Sequence, residues 1–157
     1  MSLVFITGAD GFVGKFLQNL FKEKNIIFKA GVRNSKSPNE VSYGNLSEVI
    51  HWEKHLIGVE TVVHLAARVH IMNETTANPL DEFRKVNTQA TINLAMTAKK
   101  MGIKRFIFIS SIKVNGEQTF ETPFLFSDTP HPEDNYAQSK YEAEVELMKL
   151  HEPGRFE

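Results

Sequence analysis

The chain has 157 residues, of which 41% are hydrophobic and 24% are charged, and its formal net charge is −1. These values are typical of one globular domain, and the near-zero charge gives no indication of a nucleic-acid or membrane surface. The absence of cysteine excludes disulfides, thiolate nucleophiles and zinc–thiolate sites. With no apolar run long enough for a membrane span and no signal peptide before the first strand, we expect a cytoplasmic protein.

A short apolar run near the N-terminus is followed at once by regularly spaced glycines. Residues 3–6 favour a buried strand, and an amphipathic helix pattern begins at Phe12. Strand, glycine turn and helix in this order are typical of a dinucleotide site, although the same spacing also occurs in ordinary turns. In such a site Gly8 permits a tight turn, Gly11 lets a pyrophosphate approach the backbone, and Gly14 lets helix and strand pack closely. The apolar side chains that share one helical face are Phe12, Val13, Phe16, Leu17, Leu20 and Phe21.

The second predicted strand, residues 26–32, is followed by Arg33. In dinucleotide folds the residue after this strand meets the adenosine ribose. A carboxylate there accepts from the 2′-hydroxyl, whereas an arginine accommodates a 2′-phosphate. Arg33 therefore favours NADP over NAD, and the alternative is a solvated loop arginine.

Strand and helix patterns alternate along the rest of the chain. Strands are predicted at 41–43, 61–67 and 105–111, helices at 47–55, 78–102 and 134–150, and loops at 68–77 and 113–132. This alternation predicts an α/β fold, a doubly wound parallel sheet (Rossmann-like) in three layers, with a ligand crevice at the carboxyl ends of the strands. The glycine loop, Arg33, Ala66, Ala67, Ser110 and Ser111 all fall at those ends. We assign residues 1–150 to this dinucleotide-binding domain and residues 151–157 to a tail outside it.

Polar residues inside apolar patterns are candidates for buried hydrogen bonds or for a site. Asn87 interrupts an apolar helical stripe, and because buried amides need partners it is either a structural clamp or part of a site. His64 lies inside an apolar strand and is interpreted as a core histidine. His51 and His55 are four residues apart, but without a third ligand they are not assigned to a metal, and we predict no metal site.

Tyr136 and Lys140 are four residues apart and so lie one turn apart on one helix. A tyrosine phenol titrates at about pH 10, too high for a base at neutral pH, but a neighbouring ammonium and an oxidised nicotinamide favour the phenolate. Tyr136 could then exchange a proton with a substrate hydroxyl, while Ser111 hydrogen-bonds the same oxygen. The alternative is a surface tyrosine beside a solvated lysine.

Five ordered blocks of the sequence resemble a known family. Residues 7–14, TGADGFVG, resemble the TGxxGFxG loop of the extended short-chain dehydrogenase/reductases, specifically the NAD-dependent epimerase/dehydratase group. Further landmarks are similar in the same order, at 64–67 (HLAA), 86–91 (VNTQAT), 106–111 (FIFISS) and 136–140 (YAQSK). The resemblance implies that Tyr136 is the catalytic acid/base and that Lys140 binds ribose and tunes the tyrosine. It also implies that Ser111 is the active-site Ser/Thr and that Asn87 helps to organise the site.

The same resemblance implies NAD or NADP as cofactor and a UDP-hexose as substrate, handled through a 4-keto intermediate. The cofactor-binding residues that we predict are Gly8, Asp10, Gly11, Phe12, Val13, Gly14, Arg33, Asn45, Leu46, Leu65, Ala66, Ala67, Asn87, Ser110, Tyr136 and Lys140. Asn45 stands where the family often has an aspartate that contacts adenine, and Arg33 replaces the acidic ribose ligand of NAD-retaining epimerases.

Family members continue past the Tyr-x-x-x-Lys helix into a part that binds the nucleotide sugar, so we expect the cofactor-binding portion of a UDP-hexose 4-epimerase-like enzyme. The alternatives are an NADP-dependent sugar or carbonyl reductase, and a catalytically silent nucleotide-binding module. A homodimer is compatible with either. Dehydration is disfavoured, since Ile112 and Lys113 stand where dehydratases place an acidic pair.

Overall fold

The computed structural model describes residues 2–69 and 78–157, so residues 70–77 of the expected loop at 68–77 lie outside the described part. Five parallel strands form one sheet in the order β3-β2-β1-β4-β5. The strands are β1 (Val4–Thr7), β2 (Phe28–Val32), β3 (Glu40–Ser42), β4 (Thr61–His64) and β5 (Arg105–Phe108). Because β1 is flanked by β2 on one side and β4 on the other, the chain changes direction across the sheet there. A crevice at the carboxyl ends of β1 and β4 follows from this order.

Helices connect the strands. They are α1 (Phe12–Glu23), α2 (Glu53–Leu56), α3 (Pro79–Phe83), a π-helical segment (Arg84–Gln89), α4 (Ala90–Lys100), a 3₁₀ turn (Ile112–Val114) and α5 (Asn135–Leu150). The predicted helix at 78–102 is confirmed as one continuous rod with a wider turn in its middle. Such wide turns are frequent at functional sites. No helix in the described part of the chain is long and apolar enough to cross a membrane.

Successive side chains of β1 point to opposite faces of the sheet, so the core is divided between those two faces. Phe5 packs in a cluster with Trp52 and with Leu94 of α4. Val4 and Ile6 point the other way, into a cluster that α1 covers. The three-layer, doubly wound sheet predicted from the sequence is therefore confirmed.

Two local predictions were wrong. The helix expected over residues 47–55 is present only at Glu53–Leu56. Residues 45–48 form a turn, in which the Asn45 side-chain oxygen accepts from the Ser47 N–H at 3.2 Å and the Asn45 carbonyl accepts from the Glu48 N–H at 3.0 Å. A short polar side chain that bonds the backbone in this way competes with helix formation.

The prediction that the apolar side chains of α1 share one face was also wrong. Leu17 and Phe21 pack against the sheet, whereas Phe12 and Phe16 are 80% and 66% exposed. The two exposed rings contact each other, with centroids 5.1 Å apart. The helix thus carries two apolar stripes, and a single flat sheet covers only one of them.

The final residues pack against the sheet, although the sequence placed 151–157 outside the domain. Phe156 is buried, and its ring centroid lies 6.1 Å from that of Phe106. The Glu157 N–H donates to the Lys104 carbonyl at 2.8 Å, and the Phe106 N–H donates to the Glu157 carbonyl at 2.6 Å. One aromatic residue in a polar segment is too weak a signal for this contact, which depends on the open edge of β5.

Candidate active site

A cleft of about 960 Å³ opens at the carboxyl ends of β1, β2 and β4. Many of the predicted cofactor-binding residues line it: Gly8, Asp10, Gly11, Phe12, Arg33, Asn45, Leu46, Leu65, Ala66 and Ala67. The remaining ones belong to elements around the cleft, namely Val13 and Gly14 in α1, Asn87 in the π-helical segment, Ser110 after β5, and Tyr136 and Lys140 in α5. The topology therefore brings residues from seven separate stretches of sequence to the carboxyl ends of the strands.

Two glycines are required by close backbone contacts at the start of the cleft. Gly8 has φ = +66°, and a Cβ there would lie 2.7 Å from the Ala66 nitrogen. A Cβ on Gly14 would lie 2.4 Å from the Gly8 carbonyl oxygen and 2.6 Å from that of Ala9. Both separations are far inside van der Waals contact, so only glycine lets β1, β4 and α1 approach this closely.

The N-terminus of α1 faces this glycine turn and can receive an anion. Its N-cap residue is Gly11, which has no side chain to cap the helix, and the first turn contains no acidic residue. The first N–H groups and the positive end of the helix dipole are therefore available to a phosphate. The cleft volume, the glycine cradle and this helix end together fit a pyrophosphate-linked dinucleotide.

Tyr43 also lines the cleft and was missed from the sequence. Its hydroxyl oxygen accepts from the Gly8 N–H at 3.3 Å. The pKa of Tyr43 is raised, and burial of the phenol is the largest cause. The sequence pattern around Tyr43 indicates only a short strand, β3. It gives no indication that Tyr43, the residue after this strand, reaches Gly8.

A buried relay of hydrogen bonds runs behind the cleft through His64. The Thr91 hydroxyl donates to the Asn87 carbonyl at 2.7 Å, so its oxygen accepts from His64 Nε2 at 2.9 Å. His64 Nδ1 must then accept from the Thr7 hydroxyl at 2.6 Å, whose oxygen accepts from the Ala66 N–H at 3.3 Å. Desolvation lowers the pKa of His64 to about 3, in keeping with a neutral core histidine.

Asn87 is a clamp that links the segment after β4 to α5. Its Oδ1 accepts from the Arg68 main-chain N–H at 2.8 Å, and its Nδ2 donates to the Arg68 carbonyl at 3.0 Å. The same Nδ2 donates to the Ser139 hydroxyl at 2.9 Å, and Ser139 donates in turn to the Tyr136 carbonyl at 2.7 Å. Of the two sequence interpretations, the structure shows the structural clamp, and the clamp ends on the backbone of Tyr136.

An ion pair reinforces the contact between the π-helical segment and α5. Arg84 donates from Nε and from its terminal guanidinium nitrogen to the Glu142 carboxylate, at 2.9 and 2.6 Å. These hydrogen bonds raise the pKa of Arg84 and lower the pKa of Glu142. The Thr88 hydroxyl adds a bond to the Ser139 carbonyl at 2.8 Å.

Lys140 is only 3% exposed and lies at the end of β5. Its ammonium donates to the Ile109 carbonyl at 2.7 Å and lies 3.8 Å from the centroid of the Phe108 ring. Desolvation lowers the pKa of Lys140 to about 8. The lysine is therefore not the solvated side chain of the alternative interpretation.

Tyr136 lies in α5 and the two serines follow β5, and none of the three is among the residues that line the cleft. Tyr136 is in the first turn of α5, and its ring packs edge-on against Phe83 with centroids 6.4 Å apart. Ser111 Oγ accepts from the Lys113 N–H at 3.3 Å, which leaves its own O–H to donate to a ligand. The hydroxyl oxygen of Ser110 is buried, and no bond joins it to another described residue. Across residues 2–69 and 78–157 no cluster of three His, Cys, Asp or Glu side chains could hold a metal ion.

Comparisons with known proteins give a family match and related sequences. The family model "NAD dependent epimerase/dehydratase family" matches residues 4–156. A UDP-glucose 4-epimerase of Vibrio cholerae is 42% identical over 152 residues, which cover 94% of this chain and 46% of that protein.

Solved structures show the same fold. A short-chain dehydrogenase/reductase superfamily protein from Agrobacterium tumefaciens with bound NAD has a TM-score of 0.84 at 22% identity, covering 99% of this chain and 47% of the other. MoeE5 in complex with UDP-glucose and NAD has a TM-score of 0.81 at 26% identity, covering 96% and 50%. The chain thus spans about half the length of the relatives that it matches.

Proposed function

Because the chain belongs to the NAD dependent epimerase/dehydratase family, we propose that it is the cofactor-binding portion of an NAD-dependent nucleotide-sugar 4-epimerase. The observation that carries the proposal is that a glycine-lined cleft and a buried lysine one helical turn from Tyr136 both lie at the carboxyl ends of the strands. A plain nucleotide-binding module has no need of a buried ammonium, because burying a charge is costly without a functional return.

We propose NAD as the cofactor, supported by the NAD held in the similar MoeE5 structure. Gly8, Gly11 and the N-terminus of α1 would hold the pyrophosphate, and Lys140 would bind the nicotinamide ribose. Arg33 is exposed at the rim of the cleft, where it can reach the adenosine ribose. The NADP preference inferred from Arg33 is the competing specificity, and a direct affinity comparison separates the two.

The chemistry assigned to the chain is a proton transfer at the 4-hydroxyl of a sugar. When bound, NAD supplies a reversible hydride acceptor. The Tyr136 phenolate takes the proton of the 4-hydroxyl as the C4 carbonyl forms, and returns a proton to that oxygen when the carbonyl is reduced again. Ser111 donates a hydrogen bond to the same oxygen, and the Lys140 ammonium stabilises the phenolate electrostatically.

We propose a UDP-hexose as the substrate, because a 42% identical relative is a UDP-glucose 4-epimerase and MoeE5 binds UDP-glucose. A cytoplasmic location and a homodimer are parts of the same proposal. The dimer is supported by exposed apolar side chains on two neighbouring helices, Met96 of α4 and Val145 and Met148 of α5. Sedimentation equilibrium of the chain measures this association directly.

The test combines cofactor binding with turnover. Titration calorimetry of the chain should show NAD binding more tightly than NADP. In a form that also includes the sugar-binding part, UDP-glucose with NAD should yield UDP-galactose. Replacing the proton-transfer group in Tyr136→Phe should lower turnover by about 10³-fold and change NAD affinity less than threefold. The matched control is Tyr141→Phe, on the same helix, which should keep wild-type turnover. Failure to bind either dinucleotide would refute the proposal, and undiminished turnover in Tyr136→Phe would refute the role of the phenol.

A further inference from the structure

Lys113 is a half-buried cation that the proposed chemistry does not use. It lies in the 3₁₀ turn directly after Ser111. Its ammonium is 2.7 Å from Asp134 Oδ2 and 2.7 Å from Glu117 Oε1, and its side chain is 28% exposed. The hydrogen bonds to Asp134 and Glu117 raise the pKa of Lys113, so that it stays charged at neutral pH.

Asp134 connects this cation to the helix that carries Tyr136. It is the N-cap of α5, and its Oδ1 accepts from the Ala137 N–H at 2.6 Å. One carboxylate therefore binds the first turn of α5 with one oxygen and Lys113 with the other. A carboxylate at this place also interacts favourably with the helix dipole.

The main chain of Lys113 binds the Ser111 side chain. Its N–H donates to Ser111 Oγ at 3.3 Å, which orients that hydroxyl. The neighbouring Val114 carbonyl accepts from the His131 N–H at 2.9 Å. The long loop between the 3₁₀ turn and α5 is thus closed at its base, with Ser111 on one side and the cap of α5 on the other.

We propose that Lys113 is a positioning residue that sets the Ser111 hydroxyl relative to the Tyr136 phenol by joining the outlet of β5 to the N-cap of α5. This inference rests on the proposed function for its catalytic consequence. Its structural consequence is independent, because the link between Lys113 and Asp134 orders the first turn of α5 whatever the substrate is. Such positioning matters because a reacting group that is misplaced by about 1 Å can cost 10²-fold in rate.

The experiment compares Lys113→Met and Lys113→Arg in the whole chain. Lys113→Met keeps the length of the side chain and removes its charge, whereas Lys113→Arg keeps a cation that can reach Asp134. The control is Lys149→Met, which removes an exposed ion pair to Glu146 near the other end of the same helix. Three quantities are measured: amide hydrogen exchange at Ala137 and the Kd of NAD in the chain, and kcat with UDP-glucose in a form that also includes the sugar-binding part.

Lys113→Met should exchange the Ala137 amide at least tenfold faster and lower kcat at least tenfold, with the Kd of NAD changed less than twofold. Lys113→Arg should restore both exchange and kcat to within threefold of wild type, and Lys149→Met should match wild type. Should Lys113→Met not fold, Asp134→Asn tests the same link, because asparagine retains the cap and removes the charge.

Wild-type exchange at Ala137 in Lys113→Met would overturn the inference, and so would faster exchange with unchanged kcat. An equal loss of NAD affinity would also overturn it, since that is the effect of general destabilisation. If the wild-type chain binds neither NAD nor NADP, the proposed function fails on its own, and the exchange rates still decide whether Lys113 orders α5.

Discussion

The glycine end and the tyrosine end of the candidate site are held by different physical means. At the glycine end the walls are main chain, and Gly8 and Gly14 exclude even a Cβ from the contact between β1, β4 and α1. At the tyrosine end the distances are set by side chains, through the Asn87 clamp, the Arg84–Glu142 pair and buried Lys140. The first end should therefore be sensitive to added atoms, and the second to removed ones.

The largest effect is expected from adding an atom at the glycine end. Gly14→Ala places its Cβ 2.4 Å from the Gly8 carbonyl oxygen, against backbone that cannot rotate away. We expect a loss of about 3 kcal/mol or more in the free energy of unfolding. Urea denaturation followed by circular dichroism measures it.

Gly11→Ala is the matched control, because its Cβ would meet only the Gly8 oxygen, at 3.2 Å, and Gly11 has an ordinary φ of −73°. It should change stability by less than about 1 kcal/mol. Since Gly11 lines the cleft, the same variant should weaken NAD binding at least tenfold. Equal stability of the two variants would show that the contact at Gly14 is not as close as described.

The second effect comes from removing a side chain at the tyrosine end. Asn87→Ala leaves the Arg68 N–H and carbonyl without their amide partner and disconnects Ser139. Unmade buried hydrogen bonds of this kind should lower the free energy of unfolding by about 2 to 3 kcal/mol. Asn93→Ala, at an exposed position of α4, should change it by less than about 0.5 kcal/mol. A small loss in Asn87→Ala would mean that water replaces the clamp.

The smallest change on mutation is expected at Lys140, and it has the opposite sign. Lys140 has its pKa lowered from 10.5 to about 8, so below pH 8 both folded and unfolded chains carry the proton and the desolvation cost is present in full. Between pH 8 and 10.5 only the unfolded chain holds it, so the free energy of unfolding should rise with pH, by up to about 3 kcal/mol.

Lys140→Met should therefore be more stable than wild type at pH 7, by about 1 to 2 kcal/mol after loss of the bond to Ile109. This advantage should shrink as the pH rises through 8 towards 10.5. Thermal unfolding at pH 7, 8, 9 and 10 measures the trend, with Lys100→Met, at the exposed end of α4, as the control. A pH-independent difference would contradict the buried-charge assignment.

The amino-acid sequence by itself determined the fold and much of the cleft. Glycines at positions 8, 11 and 14 can be identified without a structure, because the backbone contacts that require them follow from a strand, a turn and a helix that are adjacent in the chain. The same holds for Tyr136 and Lys140, whose spacing on one helix is a local property.

Only the tertiary structure decided the long-range contacts. Tyr43 reaching Gly8, the relay through His64, and Lys113 bonding Asp134 join residues 35, 27 and 21 positions apart. Periodicity indicates which side chains are buried but not which ones they meet, since the partners depend on the strand order. Local pattern also could not tell which of the two apolar stripes of α1 the sheet would cover, because that depends on how closely Gly14 lets the helix approach β1.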